Sequence, residues 1–382
     1  MTESLADIFP AFLREIDPYQ PGRPLEEVER ELRIRAVKLA SNENPLGPSP
    51  LAVEAAKAAL AGANRYPDGG CFYLREKLSA RLGMPFEQII LGNGSSELID
   101  IAARLLLREG DEGLTSFGSF PLYSISICAA GGRLITTPLR NYGFDLEALA
   151  RAVTSRTRVI YLSNPNNPTG TLFLADELGS FLSSLRKDVL VVLDEAYFDY
   201  ADRPGYSRSL EMLREGHNLL VLRTFSKVYG LAGLRLGYGM GPRALLEQMN
   251  KIRMPFNTSN VAQAAALAAL DDVEHVRRSL ESNRSGLAQL GEALAGLGVR
   301  FVPSAANFLF VDLAGPAAPV ADKLLHAGVV VRPMAWMGFP NAMRVTVGTH
   351  EENQKFLAAL AAVLSPDAEA RSASPATGKG AA

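Results

Sequence analysis

Lys227 stands in the segment Arg223-Thr224-Phe225-Ser226-Lys227-Val228-Tyr229-Gly230-Leu231-Ala232-Gly233-Leu234-Arg235. Phe225, Val228 and Leu231 surround it, an unusual setting for a solvated amine. A desolvated lysine has a lowered pKa, and its free amine attacks carbonyls to form a Schiff base. Ser226 and Arg235 of the same segment suit one phosphate group. Upstream, Val191-Val192-Leu193-Asp194-Glu195-Ala196-Tyr197 ends an apolar run in an acid. A carboxylate so placed must be hydrogen-bonded or charge-paired. A helix N-cap and a functional acid meet that requirement equally. Ser163-Asn164-Pro165-Asn166-Asn167-Pro168-Thr169-Gly170 follows the apolar run Val159–Leu162. Its prolines and glycine predict a turn, and an asparagine at a strand's carboxyl end is also placed to bond a ligand. Ile89-Ile90-Leu91-Gly92-Asn93-Gly94-Ser95-Ser96-Glu97-Leu98 passes through glycines into two serines. Free N–H groups at a helix start bind anions, and the same residues make an ordinary capped connection. No third glycine completes a dinucleotide fingerprint.

These segments need a scaffold that collects strand ends. Strands are expected at 88–91, 113–117, 133–137, 158–162, 189–193, 219–223 and 235–240. Helices are expected between them at 50–61, 72–82, 95–108, 121–130 and 175–185. Val-, Ile- and Leu-rich strands alternating with helices read as an α/β fold, a mostly parallel sheet covered on both faces. After Pro242 the texture changes. A helical stretch over 243–296, interrupted near Pro255 and Asp271, precedes shorter elements at 300–302, 307–312, 328–332 and 343–347 and a closing helix at 351–364. This part reads as a smaller α+β domain. The last residues, SPDAEARSASPATGKGAA, have few large apolar groups and are expected to be disordered. Their TGKG follows no strand and opens no helix, so it is no phosphate loop. The domain organisation expected is an N-terminal arm over 1–40, a large domain over 41–250, a small domain over 251–364 and a disordered tail over 365–382.

The 382 residues carry 39 Lys and Arg against 41 Asp and Glu, a net charge of −2. That balance gives no sign of nucleic-acid binding. Four scattered histidines make no metal cluster, and two cysteines, Cys71 and Cys128, make no disulfide scaffold. The N-terminus lacks the pattern of a secretory signal, and no stretch of about 18 apolar residues predicts a membrane span. A cytoplasmic protein is the expectation.

Taken in order, anion cradle, Asn loop, acid, lysine and arginine resemble the pyridoxal-phosphate (PLP) aminotransferases of the aspartate aminotransferase fold, fold type I. The resemblance covers roughly Tyr19 to Leu364. It implies that Lys227 bonds the cofactor covalently and that Asp194 pairs with its pyridine nitrogen. It implies that Asn167 and Tyr197 hydrogen-bond its phenolic oxygen, and that Ser95, Ser96, Thr224, Ser226 and Arg235 hold its phosphate. Tyr123 matches the aromatic residue that stacks on the ring. Tyr66 matches a tyrosine that reaches the neighbouring subunit's cofactor phosphate, which implies a homodimer with shared sites. No metal is implied.

The finer pattern is similar to the histidinol-phosphate aminotransferases. It is carried by Asp17-Pro18-Tyr19-Gln20-Pro21-Gly22, Leu39-Ala40-Ser41-Asn42-Glu43-Asn44-Pro45 and Arg65-Tyr66-Pro67-Asp68. Arg253-Met254-Pro255-Phe256-Asn257, Gly328-Val329-Val330-Val331-Arg332-Pro333-Met334 and Met343-Arg344-Val345-Thr346-Val347-Gly348-Thr349 complete it. The resemblance implies a substrate set of Tyr19, Asn167, Arg332 and Arg344. Arg344 matches the arginine that receives a carboxylate or phosphate, a group that guanidinium binds in bidentate fashion. Ser96 stands where the family often has Asp, and Trp336 where it more often has Gly and Tyr. The reaction implied is ping-pong transamination between L-histidinol phosphate and 2-oxoglutarate, giving imidazole-acetol phosphate and glutamate, a step of histidine biosynthesis. An aromatic amino-acid aminotransferase and a PLP-dependent decarboxylase of a phosphorylated amino acid keep the same Lys227 and Asp194. A non-catalytic regulator on this fold would need a DNA-binding module, for which the chain has no spare basic segment.

Overall fold

The computed structural model describes residues 8–20 and 22–365. The expected disordered tail lies, from residue 366 on, outside the described residues. In chain order the elements begin with α1 (Leu25–Leu32), β1 (Val37–Lys38), α2 (Pro50–Ala59), α3 (Phe72–Leu82), β2 (Ile89–Asn93), α4 (Gly94–Leu106), β3 (Glu112–Ser116), α5 (Leu122–Ala129) and β4 (Arg133–Thr137). There follow α6 (Leu146–Ala152), β5 (Thr157–Ser163), α7 (Ala175–Ser184), β6 (Leu190–Asp194), α8 (Ser209–Arg214), β7 (Leu219–Thr224), β8 (Leu236–Met240), α9 (Arg243–Ile252), α10 (Asn260–Ala269) and α11 (Val273–Gly296). The chain closes through β9 (Arg300–Val302), β10 (Phe308–Asp312), α12 (Ala317–His326), β11 (Val329–Val330), β12 (Arg332–Pro333), β13 (Ala342–Thr346) and α13 (His350–Leu364).

Seven strands form the central sheet in the order β2-β8-β7-β6-β5-β3-β4. All neighbours are parallel except β8, which runs against both β2 and β7. The unbroken apolar runs of β5, β6 and β7 are buried on both faces, as strands between two helix layers must be. One core, including Leu162, Leu193, Val221 and Phe225, fills one face. A second, including Leu98, Tyr123, Tyr161 and Leu222, fills the other. Ser49, Asp145, Ser259, Asp272 and Thr349 cap helices through their side chains, each cap contributing about 1 kcal/mol.

The second sheet has the order β12-β13-β10-β9 and is covered by α11, α12 and α13 around Leu309, Val345 and Phe356. The arm reaches this part of the chain through a separate two-stranded sheet, in which β1 pairs in parallel with β11. The core of the large sheet takes in residues beyond 250. The buried alanines of α10, Ala262, Ala265, Ala266 and Ala269, sit in the core of the large sheet with Ala52 of α2. Small side chains let α10 and α2 lie close together, so the change of partner comes at α11. The helices α1, α6, α8 and α12 and the two-residue strand β1 were not expected from the sequence. No helix among the described residues is long and apolar enough to cross a membrane.

Candidate active site

Parallel strands all deliver their carboxyl ends to one edge, and there the four segments meet. They line a cavity of about 440 Å³ together with residues of the arm and of the second sheet. Its floor on one side is the start of α4, where Ser95 and Ser96 follow Gly94. Gly94 has φ +70°, and a Cβ there would stand 2.6 Å from Nη2 of Arg235. A Cβ on Gly237 would stand 2.4 Å from the Ser95 amide nitrogen. Two glycines thus let the α4 N-terminus, β8 and Arg235 close into one cup. Arg235 Nη1 donates to the Ala232 carbonyl at 3.0 Å and to Ser226 Oγ at 3.5 Å. The Thr224 hydroxyl accepts from the Ser226 amide at 3.1 Å. Free helix N–H groups, four hydroxyl-bearing side chains and a guanidinium make an anion cradle.

Asp194 ends β6 and is 5% exposed. Its carboxylate accepts from the Tyr123 hydroxyl at 2.9 Å and from the Ala196 amide at 3.0 Å. Burial pushes its pKa up to about 6, the two donors pulling the other way. Its neighbour Glu195 turns away into a buried pair with Arg223 at 2.8 Å. Lys227 follows β7, and burial lowers its amine to about 7, with Arg344 and Arg235 pushing in the same direction. Nζ donates to the carbonyls of Ser41 at 3.3 Å and Asn42 at 3.2 Å. Tyr197 is buried, its phenol is pushed up to about 12 by burial, and its hydroxyl accepts from Asn42 Nδ2 at 2.8 Å.

The Asn loop divides its work. Asn164 and Asn166 bond within the scaffold, to Phe173 and to Ser119 and Thr169. Asn167 faces the cavity and accepts from Arg344 Nη1 at 2.5 Å. Arg344 lies on β13, 9% exposed, and also donates to the Ala40 carbonyl at 2.7 Å. Its Nε is buried without a partner. Arg332, on β12, donates to the Gln20 carbonyl and lies over the Trp336 ring at 4.9 Å. Neither arginine forms an ion pair with a carboxylate among the described residues, and burial lowers the pKa of both, with Arg332 adding to the effect on Arg344. Tyr19 closes the mouth, edge-on to Phe120 and Trp336.

The family model for aminotransferase class I and II matches residues 34–360. This chain belongs to that family. Histidinol-phosphate aminotransferase 1 of Nitrosococcus oceani is 49% identical over 366 residues, 95% of this chain and 99% of that one. Histidinol-phosphate aminotransferase of an Anaeromyxobacter species is 46% identical, over 94% of this aminotransferase and 99% of the relative. Among solved structures, histidinol-phosphate aminotransferase of Sinorhizobium meliloti in complex with pyridoxal-5'-phosphate superimposes with a TM-score of 0.86 at 30% identity, covering 93% of this chain and 97% of that one. An aspartate aminotransferase double mutant of Thermus thermophilus gives 0.80 at 25% identity, with coverage of 93% and 99%.

Within this aminotransferase the cavity gathers Tyr19, Ser95, Ser96, Asn167, Asp194, Tyr197, Thr224, Ser226, Lys227, Arg235, Arg332 and Arg344. Two expected residues are not among its walls. Tyr123 is fully buried, stacks on Tyr161 at 5.3 Å and spends its hydroxyl on Asp194. Phe120, three residues earlier and just before α5 begins, is the ring on the wall. The expectation that Tyr123 presents its ring to the cavity does not match the structure, which puts Phe120 there. The first turn of α5 points Tyr123 at the sheet instead. Tyr66 is 83% exposed, stacked on Phe256 and away from this chain's own cavity. Sequence reasoning gave no role to Asn42, although the Asn-Glu-Asn-Pro motif containing it was visible.

Proposed function

We propose that this aminotransferase exchanges an amino group between L-histidinol phosphate and 2-oxoglutarate, with pyridoxal 5'-phosphate held in the cavity. The donor set fits the cofactor. The cup of Ser95, Ser96, Thr224, Ser226 and Arg235 suits its phosphate, and Phe120 suits one face of its ring. The raised pKa of Asp194 marks a buried carboxylate in want of a cation, which a protonated pyridine nitrogen supplies. Tyr197 and Asn167 stand near enough to Lys227 and Arg344 to serve the phenolic oxygen. When bound, the cofactor supplies an electron sink for the carbon that loses its proton.

The remaining work belongs to the chain. Lys227, half in its free-amine form near neutrality, would hold the cofactor as a nucleophile and, once the substrate's amine has taken its place and freed it, would carry the proton of the substrate's amine-bearing carbon. Arg344 receives a carboxylate or phosphate deep in the cavity, and Arg332 receives an anion at its mouth. Tyr19 and Phe120 exclude water and offer aromatic surface to an imidazole, with Trp336 packed edge-on against Tyr19.

The observation that carries the substrate assignment is the second arginine. Two guanidiniums without a carboxylate partner line one wall, and a phosphate monoester and a dicarboxylate in alternation use both. The relatives' names supply the same substrate. We also propose a homodimer in which exposed Tyr66, beside Met254 and Phe256, reaches the neighbouring subunit's cradle.

The test is a single-turnover titration of the PLP-loaded protein with histidinol phosphate, phenylalanine and tyrosine, read as conversion of the visible spectrum to the pyridoxamine form. Fast conversion by histidinol phosphate is expected. Faster conversion by the aromatic amino acids would make it an aromatic aminotransferase.

A further inference from the structure

We infer that Asn42 is a positioning residue that aims the Tyr197 hydroxyl proton into the cavity and ties that aim to the strand bearing Arg344. The inference rests on the PLP-binding reading above. Asn42 is 1% exposed and holds φ 55°, the left-handed region that asparagine tolerates better than most side chains. Every polar group of the residue has a partner. Its amide nitrogen donates to Thr346 Oγ1 at 2.9 Å, and the Thr346 hydroxyl donates back to Asn42 Oδ1 at 3.1 Å. Asn307 Nδ2 and Lys227 Nζ both donate to its carbonyl, at 3.1 and 3.2 Å. Its own Nδ2 donates to Tyr197 Oη at 2.8 Å.

That last bond decides the direction of a proton. An asparagine amide nitrogen can only donate, so the Tyr197 oxygen must accept there. Thr346 donating to Oδ1 fixes which end of the amide is which. The phenolic proton of Tyr197 is left to point elsewhere, toward the space between Asn167, Asp194 and Lys227 that the cofactor ring is proposed to fill. A hydroxyl with its acceptor side occupied is a preorganised donor.

The same contacts link the two sheets. Residues 39–42 run along β13. The Thr346 amide donates to the Leu39 carbonyl at 2.8 Å, and Arg344 donates to the Ala40 carbonyl. Arg344 and Thr346 are two apart on one strand, so their side chains share a face. An anion that draws on Arg344 shifts the strand that also orients Asn42, and through it Tyr197 and Lys227. The charged and titratable groups facing Tyr197 are Arg344, Asp194, Tyr19, Tyr123 and Tyr200, with Lys227 lying 5.5 Å from its ring.

The experiment is a pH titration of the visible absorption of the PLP-loaded protein, in wild type, Asn42→Gly, Thr346→Val, Tyr197→Phe and the double variant Asn42→Gly/Tyr197→Phe. Glycine keeps the left-handed backbone and its hydrogen bonds while deleting the amide. Losing a fixed donor to the phenolic oxygen favours the protonated chromophore, so the midpoint in Asn42→Gly should rise by roughly half to one pH unit. Thr346→Val should shift it the same way by less. The shift should vanish when Asn42→Gly is made in Tyr197→Phe. A midpoint in Asn42→Gly equal to wild type, or an equal shift in the Tyr197→Phe background, would overturn the role. A wild-type protein that develops no visible band would instead overturn the PLP reading itself.

Discussion

Arg332 and Arg344 are cross-strand partners, directly opposite each other in the antiparallel pairing of β12 with β13. Opposed positions put both side chains on one face of the sheet. Two guanidiniums placed so repel each other, and burial lowers the pKa of both. An anionic substrate relieves both costs at once, so affinity in this cavity comes from a charge arrangement that is unfavourable when empty.

The pair is not symmetric, and substitution should show it. Arg332 is half-buried at the mouth beside Tyr19 and Trp336, whereas Arg344 is buried and tied to Asn167. Arg332→Ala should lower kcat/KM for histidinol phosphate by roughly ten- to a hundredfold and affect glutamate less. Arg344→Ala should lower kcat/KM for both. Equal losses on both substrates in Arg332→Ala would place the phosphate elsewhere.

Asp194→Asn should weaken PLP binding by about two to three orders of magnitude, the cost of breaking a buried charge pair. The cofactor-free protein should behave in the opposite way. The carboxyl pKa is raised from its ordinary value to about 6. Its stabilising contribution is therefore full at acid pH, below the unfolded value, and is lost as pH rises through 6. Thermal melts at pH 5 and pH 8 check this. Without PLP, Asp194→Asn should lose less stability between those two pH values than wild type does, and with PLP it should melt lower than wild type.

Tyr123→Phe isolates the positioning of that acid. Asp194 loses a donor, its pKa moves further up, and PLP affinity should fall about two- to tenfold. Phe120→Ala removes the cavity's own ring and should reduce affinity as well. Fluorescence titration of the cofactor-free protein measures both. A Tyr123→Phe protein with unaltered affinity would show that the hydrogen bond does not orient Asp194.

Lys227 must be unprotonated to attack. With its amine lowered to about 7, the rate of PLP capture by cofactor-free protein should climb with pH through 7 and level off above 8. Stopped-flow absorbance reads this directly. A rate still rising tenfold per unit at pH 9 would mean an ordinary, solvated lysine.

Gly94→Ala introduces a Cβ where the backbone is left-handed and Arg235 is already in contact. The backbone term alone is about 1–2 kcal/mol. With Arg235 displaced, PLP binding should weaken more than tenfold, while Ser95→Ala should cost less. Equilibrium dialysis against PLP distinguishes them.

Most of the catalytic edge was legible in the sequence because its residues are local to their strands. Asp194 and Lys227 each follow an unbroken apolar run, and such runs mark buried parallel strands whatever the surroundings. Tyr123 and Phe120 show where that reasoning stops. Two rings three residues apart in Phe-Pro-Leu-Tyr are equal candidates until the start of α5 decides which one faces the sheet. Asn42 was illegible for a different reason, since its partners Tyr197, Lys227, Asn307 and Thr346 are distant in sequence. The place of α10 was missed because an alanine face says that a helix packs closely and not against what.

The single antiparallel strand has a consequence for assembly. β8 lies between β2 and β7, so that Asn93 stands across from Leu236 and Gly237 across from Thr224. The anion cup is therefore not a local loop motif. It exists only when chain segments far apart in the sequence have found their register. A chain that has formed β6 and β7 but not yet seated β2 already owns its acid and its lysine, but has nowhere to hold a phosphate. With PLP as the proposed cofactor, its retention would report on completed topology, and as a ligand of the fully threaded sheet it would draw the last steps of folding forward by mass action.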